Sequence, residues 1–218
     1  MMAVEIYHLT KIIKGKTILD DITLELERGK IYGFFGKNAS GKTMLFRAIC
    51  GLIKPTRGEV RVFGKRIGVD VSFPESLGLI IENVGFWEQW TGFQNLKFLA
   101  SIKNIITDED IRAAIRRVGL DPDDKRIYGK YSLGMKQRLG IAQAIMEKPQ
   151  LIVLDEPTNS LDEEGVGLVR NILLEEKGRG ATILIASHIK EDIDLLCDEK
   201  FKVEAGRIYP AGSGVKDE

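Results

Sequence analysis

The chain has 218 residues, of which 44% are hydrophobic and 29% charged. This is enough apolar side chain for the core of one domain, or of one domain with a subdomain. The 32 Lys and Arg residues balance the 32 Asp and Glu residues. No net field therefore draws the chain to nucleic acid or to an anionic membrane surface, and we expect no nucleic-acid partner.

Three features indicate a cytosolic location. The first nine residues lack the basic and apolar regions of a signal peptide. No apolar run approaches the roughly 18 to 20 residues that cross a bilayer. Cys50 and Cys197 lie far apart in apolar-periodic segments, a placement typical of buried thiols rather than of a disulfide or a metal site. If the protein acts at a membrane, something else must hold it there.

The N-terminal part is predicted to be rich in strands. Apolar and polar residues alternate over 4–6 and again over 22–26, as they do in strands with one buried face. The apolar run over 31–35 predicts a buried strand. A helical pattern follows residues 36–43 and stops at Gly51.

Residues 36–43 connect that strand to that helix and have the sequence Gly-Lys-Asn-Ala-Ser-Gly-Lys-Thr. Glycine on both sides of a four-residue spacer lets the backbone fold tightly enough for successive amide N–H groups to face an anion. Lys42 can reach the β- and γ-phosphates of a nucleotide, and Thr43 can place its hydroxyl on Mg²⁺. The helix that follows adds its positive N-terminal end. The pattern therefore predicts a phosphate-binding loop.

Beyond this loop, strand and helix patterns alternate. Apolar runs over 79–81, 151–154 and 183–186 predict buried strands, whereas the stretch from about 86 to 146 has helical patterns with capping boxes at Thr91 and Thr107. Such alternation predicts an α/β fold whose mostly parallel sheet is covered on both faces, with a helical subdomain inserted in it. Ligands of such sheets bind beyond the carboxyl ends of the strands.

Candidate catalytic residues lie at two of these strand ends. Asp155 and Glu156 follow the run over 151–154. In isolation, two carboxylates there would indicate only an acidic turn that closes a strand. Beside a phosphate loop, they indicate two different catalytic roles. Asp155 is expected to hold Mg²⁺ and Glu156 to polarise the attacking water, which contributes about 10²- to 10⁴-fold in rate. His188, after the third run, is either a hydrogen-bonded strand-end histidine or a contact to the γ-phosphate.

A second anion site is predicted at Ser132. This residue precedes a helical pattern that continues through Leu139, Ala142 and Ile145, so it is expected to cap the helix. An exposed serine with a nearby glycine at a helix N-terminus also favours an anion. Two separate half-sites in one chain indicate assembly around the nucleotide.

These motifs occur in the order seen in the ATP-binding cassette (ABC) transporter ATPases, which the chain resembles over nearly its whole length. The resemblance rests on the phosphate loop, Ser132-Leu133-Gly134-Met135-Lys136-Gln137, the strand ending at Asp155-Glu156, Ser160-Leu161-Asp162 and His188. It implies a P-loop NTPase with a mostly parallel core sheet, an N-terminal antiparallel β subdomain and an inserted α-helical subdomain. The domain would cover 1–210, with a core of 1–85 and 147–210, a helical subdomain of 86–146 and a flexible tail at 211–218.

The resemblance also implies the cofactors, ATP and Mg²⁺, and the residues that hold them. Thr43 and Asp155 would bind Mg²⁺, Glu156 would be the catalytic base, and Lys42 and His188 would be the other catalytic groups. ATP would be held by the loop and the residue after it: Gly36, Lys37, Asn38, Ala39, Ser40, Gly41, Lys42, Thr43 and Met44.

Two cassettes pack head to tail in this family. Ser132 and Gly134 would therefore contact the nucleotide bound to a second subunit, and Asp162 would communicate across the dimer. A single chain would be catalytically incomplete.

Three positions depart from the family's commonest pattern. The signature usually has Leu-Ser-Gly-Gly-Gln, whereas residues 131–135 are Tyr-Ser-Leu-Gly-Met, which resembles the branch of bacterial peptide-antibiotic and lantibiotic self-protection exporters. Glu82 aligns with a glutamine that contacts Mg²⁺, so a carboxylate there adds negative charge near the metal. Ile13 aligns with the aromatic residue that stacks on adenine, so the base is held by apolar contact or by another residue.

The family further implies transmembrane permease partners. Aromatic residues are frequent over 85–90. This segment is either ordinary core or a binding hot spot for the permease. In the second case, a coupling helix of the permease would dock between Glu82 and Trp90. The chain would then be a cytoplasmic protein, peripheral on the inner face of the cell membrane.

The predicted function is the ATP-hydrolysing subunit of an ABC exporter, a homodimer closed by ATP, with a peptide or amphipathic antimicrobial compound as the expected cargo. Two other classes stay open. A small-molecule P-loop kinase shares the loop but has no use for the Ser132 helix or for His188. A cassette that acts on DNA or ribosomes usually has coiled-coil insertions or two cassettes in one chain.

Overall fold

The computed structural model describes residues 1–82, 85–188 and 190–211, with 190–192 described by their backbone alone. Within these ranges the strands are β1 (Met2–Ile13), β2 (Lys16–Glu27), β3 (Ile31–Phe35), β4 (Arg57–Val62), β5 (Lys65–Arg66), β6 (Leu77–Ile80), β7 (Leu151–Asp155), β8 (Thr182–Ser187), β9 (Glu199–Glu204) and β10 (Arg207–Pro210). The helices are α1 (Lys42–Ile49), α2 (Gly92–Lys103), α3 (Asp108–Arg117), α4 (Leu133–Ile145), α5 (Glu163–Gly178) and α6 (Lys190–Leu196). No helix in the described ranges is long and apolar enough to cross a membrane. The tail expected to be flexible lies, from residue 212 on, outside the described residues.

The strands form two sheets. A four-stranded antiparallel sheet has the order β2-β1-β4-β5, and a six-stranded sheet has the order β10-β9-β3-β8-β7-β6. All neighbouring pairs of the larger sheet are parallel except β9 with β10. This arrangement confirms the predicted α/β fold with an antiparallel N-terminal sheet and a mostly parallel core sheet.

The central strands are buried on both faces, which explains their unbroken apolar runs. In β7, Leu151 and Val153 point into one apolar cluster, formed with α1 and the four-stranded sheet, whereas Ile152 and Leu154 point into another, formed with helices α2 to α5. The helices over 86–146 thus pack on the core sheet through a shared apolar cluster. The subdomain boundaries stay a prediction.

Local sequence signals set most helix ends. In α2, the side chain of Thr91 accepts a hydrogen bond from the Gln94 amide, and the Gln94 side chain accepts one from the Thr91 amide; Thr107 forms the same capping box on α3. In α5, the first glycine after the apolar pattern does not end the helix. The helix includes Gly178 and is terminated by Gly180, which adopts a left-handed φ of +93°.

Candidate active site

Strand order brings the predicted site residues to one edge of the core sheet. β3, β8, β7 and β6 are consecutive and parallel, so their carboxyl ends lie side by side. The phosphate loop follows β3, His188 follows β8, Asp155 and Glu156 end and follow β7, and Glu82 follows β6. A cavity of about 830 Å³ opens at this edge and is lined by loop residues Asn38, Ala39, Ser40, Gly41, Lys42, Thr43 and Met44, together with Glu82, Asp155 and Glu156.

The phosphate loop is shaped so that only glycine fits at its first position. A Cβ on Gly36 would lie 2.1 Å from the carbonyl oxygen of Val203, and Gly41 has a φ of +116°. Gly36 and Lys37 line a neighbouring cavity of about 480 Å³ rather than the larger one.

The same loop leaves hydrogen-bonding groups open to an anion. Helix α1 has no side-chain cap, whereas the side chains of Thr91, Thr107, Ser132 and Asp162 cap α2, α3, α4 and α5. Its first-turn amides therefore lack intrahelical acceptors. The buried hydroxyl of Ser40 has no hydrogen-bond partner. Uncapped amides at a helix N-terminus beside a buried unsatisfied hydroxyl fit a phosphate group.

Lys42 is held against the loop. Its side chain is buried, and its ammonium donates to the carbonyl oxygens of Gly36 at 2.7 Å and Lys37 at 3.2 Å. A buried positive charge with only neutral acceptors favours a nearby anion. Lys42 therefore complements the uncapped amides of α1.

Thr43 and Asp155 meet across the cavity. The Thr43 hydroxyl donates to Asp155 Oδ2 at 2.5 Å. Burial raises the pKa of the Asp155 carboxyl, and the negative charge of Glu156 raises it further, while the Thr43 hydrogen bond lowers it. A cation beside this carboxylate would relieve the cost of burying its charge. A hydroxyl and a carboxylate oxygen are ligands that suit Mg²⁺.

Glu82 lies beside this pair but is itself paired. Its carboxylate forms a 2.9 Å ion pair with Arg47 of α1, and its charge contributes to the raised pKa of Asp155. Within the described ranges, no cluster of three or more His, Cys, Asp or Glu side chains is arranged to hold a metal ion. A metal here would depend on Thr43 and on phosphate oxygens as well as on carboxylates, as is usual for Mg²⁺.

The structure brings Glu156 and His188 into direct contact. His188 Nδ1 lies 2.8 Å from Glu156 Oε2, and the His188 amide donates to the same oxygen at 3.4 Å. Glu156 adopts a left-handed φ of +52°, and its amide donates to Ala186 in β8. Glu156 lines the cavity, whereas His188 is not among the lining residues and contacts the Glu156 carboxylate.

Ser132 caps α4 as predicted, because its hydroxyl accepts a hydrogen bond from the Met135 amide at 3.2 Å. It and Gly134 do not line the cavity of their own chain; Leu133 and Gln137, four residues apart on one helix face, do. Gln137 also donates to the carbonyl oxygen of Pro157 at 3.0 Å. Asp162 caps α5 through the Gly165 amide. The roles of Ser132, Gly134 and Asp162 toward a second subunit stay predictions.

Residues outside the predicted site also line the cavity. Ile13 is not among the lining residues; its cross-strand partner Lys16 is, together with Thr17 and Ile18. Asn159, Ser160, Ala205 and Gly206 complete the lining. Of the described residues that line this cavity, none is aromatic, so an adenine base would not find a stacking ring there. Gly15 and Gly206 are the sequence signals that could have predicted the turns beside these lining residues.

The chain from residue 19 to residue 159 matches the sequence model of the family described as ABC transporter. The chain belongs to this family. It is 54% identical over 205 residues to YybJ of Bacillus subtilis, an uncharacterised ABC transporter ATP-binding protein, with 94% of each chain covered. This cassette is therefore an ATP-binding member of the family, and its predicted ATPase activity is confirmed at the level of the family.

Two further relatives, named for bacitracin and lantibiotic transport, confirm the resemblance to the peptide-antibiotic and lantibiotic branch. BcrA of Enterococcus faecalis, a bacitracin transport ATP-binding protein, is 39% identical over 197 residues, covering 89% of this cassette and 64% of BcrA. SrtF of Streptococcus pyogenes, a lantibiotic transport ATP-binding protein, is 34% identical over 195 residues, covering 89% of this cassette and 83% of SrtF.

Solved structures show the same fold. The structure of an ATP-binding subunit of an ABC transporter superposes with a TM-score of 0.86 at 25% identity, covering 96% of this cassette and 90% of that chain. A dimeric bacterial ABC transporter cassette superposes with the same TM-score at 18% identity, covering 94% and 96% of the two chains. At that identity the second likeness concerns the fold alone.

Proposed function

We propose that this cassette is the subunit of an ABC exporter that binds and hydrolyses MgATP as a head-to-tail dimer and so drives export through separate permease subunits. The observation that carries the proposal is the convergence of Lys42, the Thr43–Asp155 pair and the Glu156–His188 pair at one sheet edge. The expected cargo is a peptide or amphipathic antimicrobial compound, in keeping with the names of BcrA and SrtF.

Each residue has a role that follows from its position. The loop amides and Lys42 bind the β- and γ-phosphates and orient the terminal phosphate toward Glu156. Thr43 and Asp155 would hold Mg²⁺, which would neutralise part of the negative charge of the phosphates. Glu156 accepts the proton of the attacking water, and the contact with His188 restrains its carboxylate.

A dimer is proposed because each chain lacks part of its own site. Ser132 is exposed at the N-terminus of α4, and neither it nor Gly134 lines the cavity of the same chain. The helix N-terminus therefore remains available to an anion carried by another copy. Two copies related head to tail would complete both sites.

The permease is proposed to dock beside Glu82, on an aromatic cluster made of Trp87, Trp90 and Phe98. The rings of Trp87 and Trp90 stack at 4.9 Å, and Phe98 packs edge-on against Trp87 at 4.7 Å. Trp87 and Phe98 are each more than two-fifths exposed. Exposed aromatic side chains held in place by one another are suited to anchor a partner helix. This would place the cassette on the cytoplasmic face of the membrane.

The partner assignment is tested by co-purification from a detergent extract of cells that express the tagged cassette. We expect a membrane protein to co-purify with the wild type and with Leu174→Ala, an exposed apolar change on α5, but not with Trp87→Ala. Sedimentation with ribosomes or DNA instead would favour a cassette without a transport role. Transfer of phosphate to nucleosides, in place of phosphate release, would favour a kinase.

Replacing Glu82 with glutamine is expected to raise the Mg²⁺ concentration that gives half-maximal hydrolysis by about two- to fivefold, the effect of removing one exposed charge near the metal. The measurement is ATPase rate against Mg²⁺ concentration at saturating ATP. Glu75→Gln is the matched control, because Glu75 pairs with Lys65 away from the cavity. An unchanged Mg²⁺ dependence would show that Glu82 does not act at the metal site.

A further inference from the structure

We propose that the turn between β9 and β10, Ala205-Gly206, positions the phosphate loop for ATP binding, which makes Gly206 a positioning residue of the site. The Gly206 amide donates to the carbonyl oxygen of Ser40 at 2.9 Å, and the Gly206 carbonyl accepts from the Asp20 amide at 2.9 Å. One buried residue is thus tied to the phosphate loop on one side and to β2 on the other. The inference rests on the placement of the triphosphate in this loop proposed above.

The contact is too close for a side chain. Gly206 has a φ of +79°, and a Cβ on it would lie 2.4 Å from the carbonyl oxygen of Ile18. A Cβ on Gly41 would lie 3.3 Å from the same oxygen. Both glycines therefore pack against the backbone of β2, and the turn cannot move without moving a strand or the loop.

Open space on both sides of the loop makes these few contacts important. Loop residues line the cavity of about 830 Å³ on one side and the cavity of about 480 Å³ on the other, and Ala205 lines both. Side-chain packing therefore restrains the loop little along these faces. The hydrogen bond from Gly206 to Ser40 fixes the backbone just before Gly41 and Lys42.

A second link holds the turn to β2. Arg207 forms a 2.8 Å ion pair with Asp20, whose amide donates to Gly206. This exposed ion pair contributes little to stability by itself. Because Arg207 directly follows Gly206, the pair nevertheless restrains the turn. The turn, the start of β2 and the phosphate loop consequently form one hydrogen-bonded unit around the cavity.

Displacing this unit should weaken ground-state binding of the phosphates more than the chemical step, because Glu156 is held separately by β8 and His188. In Gly206→Ala, the new Cβ must push the turn away from Ile18. We expect the dissociation constant for ATP to rise about five- to tenfold, as for the loss of one hydrogen bond that orders a binding loop. The rate at saturating MgATP should stay within about twofold of the wild type.

Gly64→Ala is the matched control. Gly64 has a φ of +80° between β4 and β5, and a Cβ there would meet nothing within 4 Å. Both variants carry similar left-handed strain, but Gly206→Ala adds the close approach to Ile18, so it should lose more thermal stability than Gly64→Ala. Only Gly206→Ala should bind ATP more weakly, measured by titration calorimetry without Mg²⁺ to prevent hydrolysis.

A Gly206→Ala variant that folds and binds ATP within about twofold of the wild type would overturn the positioning role. If instead the wild type itself fails to bind ATP, the proposed nucleotide site is wrong. Should Gly206→Ala not fold, hydrogen exchange of the wild type decides: we expect MgATP to slow exchange at the amides of Gly206 and Asp20 together with the loop. Slowing in the loop alone would overturn the inference.

Discussion

Replacing Glu156 with glutamine is expected to lower the rate of ATP hydrolysis by about 10²- to 10⁴-fold while ATP still binds. The amide has nearly the same shape as the carboxylate and can still contact His188, but it cannot accept the proton of the attacking water. Lys42 and Thr43, which would hold the phosphates and the metal, are unchanged. The result to measure is phosphate release at saturating MgATP.

The same variant should accumulate as a dimer in MgATP, because hydrolysis would no longer reopen it. Size-exclusion chromatography with and without nucleotide detects this directly. Glu164→Gln is the control, since Glu164 is exposed on the first turn of α5, and we expect a wild-type rate and no trapped dimer. Hydrolysis by Glu156→Gln at the wild-type rate would contradict the assignment of Glu156 as the base.

Replacing Lys42 with methionine is expected to raise the dissociation constant for ATP by about 10²-fold or more, because each charge-assisted hydrogen bond to a phosphate contributes about 1.5–3 kcal/mol. Methionine preserves much of the side-chain length and removes the charge. The carbonyl oxygens of Gly36 and Lys37 would also lose their donor, so the loop should be less ordered.

Thermal unfolding with and without ATP measures this effect. The wild type should be stabilised in proportion to the logarithm of ATP concentration above its dissociation constant, and Lys42→Met should show almost no shift at the same concentrations. Lys54→Met is the control, since Lys54 is exposed and does not line the cavity. An ATP-dependent shift in Lys42→Met equal to that of the wild type would show that Lys42 does not bind phosphate.

The strand, loop and helix around residues 36–43 were predictable because their signals are local. Glycine spacing determines which backbone conformations the loop can adopt, and the cap residues of α2, α3 and α4 lie within three residues of the amides they bind. The unbroken apolar run of β7 reflects burial on both faces. In each case the interacting groups are neighbours in sequence or share one repeating pattern.

The part of the cavity lined by β2 was not predictable in the same way. The family resemblance directed attention to Ile13, whereas Lys16, Thr17 and Ile18 line the cavity, because the hairpin between β1 and β2 turns at Gly15 and brings the second strand to the phosphate loop. β9 and β10, which have weak apolar patterns, were also missed. Their position depends on pairing with β3, which is distant in sequence.

The sequence by itself thus determined the phosphate loop, the strands that end at Asp155 and near His188, and the order of motifs typical of the family. These features depend on residue spacing within short segments. Only the tertiary structure decided that His188 contacts Glu156, that Arg47 pairs with Glu82, and that Gly206 holds Ser40. Those contacts join segments brought together by strand order and by packing against the core sheet. Their distances follow from the register of whole strands, which no local pattern specifies.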